Sequence, residues 1–140
     1  MTDPFDLQRF VDAQAPVYQG VLSELRQGRK QSHWMWFIFP QLAGLGHSPM
    51  AQRYAIASRD EALAYLRHAV LGPRLLECTV LVNSVEGRTI REILGSPDDF
   101  KFCSSMTLFG AVSHDPAFAA AIKKFYGGTP DRKTLDLLAR

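Results

Sequence analysis

The chain has 140 residues, 46% of them hydrophobic and 21% charged, the size and composition of one globular core rather than of two domains or a disordered segment. Sixteen Lys and Arg against fourteen Asp and Glu leave a formal charge of +2. That is too little for a chain whose main task is to wrap a nucleic-acid polymer, so no such partner is expected.

Near the start, Asp3, Asp6 and Arg9 occupy positions where an export signal needs a basic start and an apolar run, so a cytoplasmic location is expected. Leu7, Phe10, Val11 and Gln14 predict a first helix, and Tyr18, Val21, Leu22 and Leu25 a second, with Gly20 awkwardly inside it or at its boundary. Three later starts are marked by a cap-type residue before proline, at Ser48-Pro49, Ser96-Pro97 and Asp115-Pro116. Two more carry capping-box spacing, Ser58 with Glu61 and Thr89 with Glu92. Apolar periodicity follows in Ala62, Leu63 and Leu66, in Leu75, Leu76 and Val80, and in Phe118, Ala121 and Phe125. Gly28, Gly72, Gly87, Gly95 and the Gly127-Gly128 pair read as stops, and Asp131 as the cap of a last helix through Leu138.

The fold these signals predict is all-α, a single compact domain over residues 1–140 of about seven to nine short helices. The rival is a small sheet formed by residues 34–39 and 78–85, whose aromatic and β-branched content suits strands. The longest apolar run, Trp34 to Phe39, falls far short of the roughly 20 residues that span a bilayer, so no membrane partner is expected. Cys78 and Cys103 belong to no CxxC pair and read as buried small hydrophobes. His33, His47, His68 and His114 show no metal spacing, and no cofactor fingerprint is present, so neither a metal nor a cofactor is expected.

Chemistry is densest from Gly28 to Gln41, which holds both tryptophans, Arg29, Lys30, His33 and two glutamines. On a helix, Lys30, His33 and Trp34 would share one face, with Met35, Ile38 and Phe39 on another facing the core. The first face suits a planar anionic ligand: Trp34 as stacking surface, Lys30 as anion contact and His33 as a candidate catalytic acid or base. The plainer reading makes Trp34 and Trp36 core anchors and lets His33 bond a backbone carbonyl. Downstream, Gly44 and Gly46 lead to the Ser48-Pro49 start without the three glycines or βαβ setting of a dinucleotide fingerprint. Arg53 on the following helix is a candidate second clamp or a surface ion-pair member.

A second constellation is Lys101, Ser104 and Ser105, which a helix would place side by side as ammonium and hydroxyl groups binding an anion. The alternative pairs Lys101 with Asp98 and uses the serines to fill packing gaps. Glu77 is a weaker acid/base candidate. Together these residues predict binding, with processing open, of a phosphate-bearing, nucleotide-like small molecule. The other class of function is a non-catalytic protein-interaction module built on an exposed tryptophan patch.

The run Gly28-Arg29-Lys30-Gln31-Ser32-His33-Trp34-Met35-Trp36-Phe37-Ile38-Phe39-Pro40-Gln41, with Met50 to Ile56, Leu71-Gly72-Pro73-Arg74-Leu75 and Lys101 to Phe109, resembles a family of small uncharacterised all-α bacterial domains. The resemblance runs from about Asp6 to Leu138 and implies a single helical domain with no established activity. Some members carry the label calpastatin, for which a compact domain of this composition offers no physical support. A more distant likeness is to all-α domains acting on ADP-ribose-type substrates, which also gather aromatic and basic residues around an anionic ligand.

Overall fold

The structure, a computed structural model, describes residues 2–140. Within them the chain forms ten helices: α1 (Gln8–Gln14), α2 (Tyr18–Arg26), α3 (Met35–Ile38), α4 (Pro49–Arg53), α5 (Arg59–Arg67), α6 (Leu71–Asn83), α7 (Ile90–Leu94), α8 (Asp98–Val112), α9 (Pro116–Tyr126) and α10 (Arg132–Leu138). Five of the expected caps form. Ser48 Oγ accepts from Ala51 N (3.1 Å), Ser58 Oγ from Glu61 N (3.1 Å), Asp115 Oδ1 from Ala117 N (2.9 Å) and Asp131 Oδ2 from Thr134 N (3.1 Å). At α7 the box is reciprocal, Glu92 N donating to Thr89 Oγ1 (3.1 Å) and Thr89 N to Glu92 Oε1 (2.8 Å).

Two expected boundaries are corrected. Ser96-Pro97 does not cap α8, which begins at Asp98 without a side-chain cap. Its first turn is closed by backbone instead, with Asp99 N donating to Gly95 O (2.9 Å) and Phe100 N to Pro97 O (3.0 Å). Gly72 is no stop: it lies in the first turn of α6, where an added Cβ would stand 2.0 Å from the Leu66 carbonyl oxygen. The bare backbone there lets the end of α5 pass against the start of α6. Residues 34–39 are not a strand but enclose the single turn α3, and residues 78–83 lie in α6. An isolated parallel bridge, Leu42 with Ile56, draws together the two ends of the loop that carries α4.

Packing is organised around α8. Every residue from Ser104 to Phe109 is buried, so this helix has no solvent face along its middle and belongs at the centre of the bundle, where α5, α7, α9 and α10 contact it. Aromatic pairs join it to its surroundings: Phe102 meets Phe39 edge to face (4.9 Å between ring centres), and Phe109 packs at a tilt against Tyr65 (5.3 Å) and Phe118 (6.1 Å). Helix α6 forms the second axis, against α2, α5 and α9. Arg9 ties α1 to α5 and the segment before it with all five of its N–H donors. They reach the carbonyls of Phe5, Asp6, Arg53 and Ala55 and the carboxylate of Glu61 (2.9 Å), which is itself buried. Full satisfaction of both ions is what makes such a buried pair tolerable. No helix of the described residues is long and apolar enough to cross a membrane.

Gly20 in α2 and Gly72 in α6 respond in opposite directions to a methyl group. Gly20 in α2 has nothing within 4 Å of an added Cβ, so Gly20→Ala raises unfolding free energy by about 0.5–1 kcal/mol through helix propensity. Gly72→Ala meets a backbone carbonyl and lowers it by about 3 kcal/mol. Urea unfolding of the two variants measures both signs, and equal effects would contradict this placement of α5 against α6.

Candidate functional site

The chain between α2 and α3 is not helical, so the face expected for Lys30, His33 and Trp34 does not exist as such. Its shape comes from Glu24 on α2. Oε1 accepts from Gln31 N (2.7 Å), Ser32 N (2.9 Å) and Trp34 Nε1 (3.0 Å), and Oε2 accepts from Ser32 Oγ (2.7 Å). Partial burial works against the charged carboxylate. The hydrogen bonds from Gln31, Ser32 and Trp34 outweigh it and hold the group below the usual glutamate range. One consequence is that Trp34 points inward and is 1% exposed, so it offers no face for stacking a ligand.

Beyond this clamp, Lys30 and Lys101 meet across Asp98. Lys30 Nζ lies 3.0 Å from Asp98 Oδ2 and Lys101 Nζ 3.7 Å from Asp98 Oδ1. Each ammonium also faces an indole, Lys30 at 5.0 Å from the Trp34 ring centre and Lys101 at 5.4 Å from that of Trp36. Lys30 is the more enclosed, its side chain 9% exposed against 25% for Lys101, and it also donates to the Ser32 carbonyl. A cleft of about 310 Å³ opens between these groups, lined by Lys30, His33, Trp36, Pro97, Asp98 and Lys101 among others. Trp36 is half-buried, and its indole N–H is covered with no hydrogen-bond partner.

The structure thus brings Lys30, His33 and Lys101 to one cleft and separates the other expected site residues from it. Ser104 Oγ donates to Asp131 Oδ2 (3.1 Å), fastening α8 to the cap of α10. Ser105 is fully buried, its hydroxyl unpaired, among the packed faces of α8. Adjacency on a helix is no guide where the helix is enclosed on all sides. Arg53, exposed on α4, lies over the Tyr54 ring (5.6 Å) and does not line the cleft. Glu77 accepts from the Tyr18 hydroxyl (2.5 Å), whose pKa burial, together with that hydrogen bond, pushes far above the ordinary phenol range. Burial likewise pushes the adjacent Cys78 thiol up to about 12, which leaves it inert. Sequence reasoning passed over Glu24 and chose Trp34 where Trp36 lines the cleft. The spacing of Glu24 ahead of the run, seven to ten positions from Gln31, Ser32 and Trp34, matches no local capping rule. Among the described residues no group of three or more His, Cys, Asp or Glu is arranged to hold a metal ion.

Fold and cleft together define a small all-helical domain with a cationic, aromatic recess on its surface. The chain belongs to the family described as protein of unknown function (DUF1810), whose model matches residues 4–138. Its structure is similar to the crystal structure of the conserved hypothetical protein Rv1873 from Mycobacterium tuberculosis, with a TM-score of 0.97, 62% identity and 99% of each chain covered. No curated protein matches the chain.

If Glu24 shapes this segment, Glu24→Gln costs about 2 kcal/mol at neutral pH, since the amide loses charge-assisted acceptance and forces one donor against another. A carboxyl held below its unfolded value stabilises the fold above that value, 4.5 for glutamate, and the contribution is lost as pH falls through the folded pKa. The gap between wild type and Glu24→Gln in urea melts therefore narrows below about pH 4.5. A gap constant with pH would contradict the clamp.

Proposed function

We propose that the protein binds a small phosphate-bearing, nucleotide-like anion in the cleft between Lys30 and Lys101. The observation that carries this reading is the convergence of two ammonium groups, an imidazole and an indole, drawn from the α2–α3 segment, α3 and the start of α8, on one recess with a single carboxylate. Lys101 is the ligand-facing cation. Its distance from Asp98 is too long for a hydrogen bond, so its N–H donors are free to take phosphate oxygens. Lys30 holds Asp98 in place from behind, and the ring of Trp36 offers the cleft a flat wall for a base or sugar. His33, exposed at the rim, is positioned to contact the phosphate and, if the ligand is turned over, to carry a proton. The volume lies at the low end of small-molecule sites, which run about 300–1,000 Å³, and suits a mononucleotide rather than a polymer. The alternative of a tryptophan interaction patch needs exposed indole surface, whereas Trp34 is 1% exposed and Trp36 half-buried.

Asp98 opposes an incoming anion, which gives the proposal a sign as well as a magnitude. In calorimetric titrations with ADP and ADP-ribose, Lys101→Ala weakens binding about tenfold, the loss of one charge-assisted hydrogen bond. Asp98→Asn tightens it several-fold, about 1 kcal/mol of relieved repulsion near the surface. Adenosine, without phosphate, does not bind measurably. Absence of heat for every phosphorylated compound at millimolar concentration, or a weakening by Asp98→Asn, would overturn the reading.

A further inference from the structure

The basic run that begins at Arg26 divides in the fold. Lys30 and His33 go to the cleft described above, while Arg26 turns to a separate surface with Arg88 and Arg91. Arg26 and Arg88 line a concavity of about 380 Å³ between the end of α2 and the end of α6. Arg88 and Arg91 line an adjoining one of about 440 Å³ at the start of α7, floored by Ile90 and Phe125. Arg88 belongs to both. Its stem lies against Gly28, where an added Cβ would stand 3.6 Å from Arg88 Cδ and 3.2 Å from Val85 Cγ1. That backbone, at φ +72°, both needs glycine and leaves room for the arginine to cross.

The three arginines are exposed, and among the described residues no ion pair forms on any of them. The two acids of the surface are committed elsewhere. Glu86 holds Lys124 (2.9 Å), which also closes α6 through the carbonyls of Asn83 and Val85. Glu92 accepts from Thr89 N, and its carboxyl is held low first by that bond and only last by the charge of Arg88. Over the two concavities Arg26, Arg88, Arg91 and Lys124 stand against Glu86 and Glu92, a local formal excess of two positive charges.

We propose that this surface docks an extended acidic segment of a partner protein, with carboxylates on Arg26, Arg88 and Arg91 and an aliphatic side chain on the Ile90–Phe125 floor beside Arg88 and Arg91. Guanidinium forks pair with carboxylates in two-point geometry. The apolar floor gives an aliphatic side chain a place to be buried, and a phosphodiester backbone has nothing to put there. A local excess of two charges is also small for a nucleic-acid track, which needs a run of phosphate contacts. This surface and its ligand class are separate from the Lys30–Lys101 cleft and do not rest on the reading given for it.

The test is fluorescence anisotropy with a labelled synthetic dodecamer alternating glutamate and leucine, beside its lysine-for-glutamate counterpart and a single-stranded RNA dodecamer. The glutamate peptide binds with Kd tighter than about 100 μM at low salt, weakens as salt rises, and loses about tenfold in affinity on Arg88→Ala. Arg67→Ala, which removes the same charge from an exposed position on α5, changes affinity by less than about twofold. Thermal unfolding of both variants checks that each is folded. No binding up to about 1 mM peptide, equal losses in the two variants, binding of the lysine peptide at comparable strength, or tighter binding of the RNA through Arg88 would each overturn the proposal.

Discussion

One carboxylate decides what the most chemically dense stretch of this chain becomes. By accepting two backbone N–H groups, a hydroxyl and an indole N–H from residues 31–34, Glu24 fixes a segment that has no regular secondary structure to fix it. Trp34 is thereby committed to the core and packed at a tilt near Phe39, with ring centres 6.3 Å apart. The next turn then presents Trp36, and the chain before it presents Lys30, to a recess on the surface. The backbone donors of Gln31 and Ser32, which no helix or sheet ladder satisfies, thus find their acceptor in one charged group.

Asp98 completes the arrangement from the other side of the sequence. Standing in the first turn of α8, it draws Lys30 and Lys101 to one point although they are far apart in the chain. Most of α8 is enclosed by four other helices, so only this first turn reaches the surface with functional groups. The core therefore explains why the cleft lies where it does: the first turn of the central helix carries charged side chains, whereas the exposed Gly110 and Ala111 near its other end bring none, and α3 and the loop before it meet the charged end. Away from the cleft Arg9 and Glu61 serve a purely architectural purpose, each using its polar atoms on backbone and on the other.

Much of the fold was legible because its helix starts are written in local chemistry. Ser48, Ser58, Thr89, Asp115 and Asp131 cap where their spacing places them, since a cap needs only residues within one turn. Ser96 and Gly72 misled because their outcomes depend on distant partners: the backbone carbonyls of Gly95 and Pro97, and the Leu66 carbonyl against which α6 must fit. In the cleft, Lys30, His33 and Lys101 were visible as polar residues in unusual company. The choice of Trp34 over Trp36 could not be made without knowing that the helix begins at Met35 and that Glu24 captures the earlier indole. Ser104 and Ser105 lay on an apolar helix whose evenness around the axis was itself the sign that it would be enclosed, leaving their hydroxyls to Asp131 and to the core.

The division of labour between the two tryptophans is the central claim, and their indole N–H groups report on it separately. In a two-dimensional proton–nitrogen NMR titration with ADP, assigned through Trp34→Phe and Trp36→Phe, the account predicts progressive displacement of the Trp36 indole resonance. The Trp34 resonance, bonded to Glu24 within the core, holds its position across the same titration. Displacement of Trp34 with Trp36 unmoved, or of neither at saturating ADP, would contradict it.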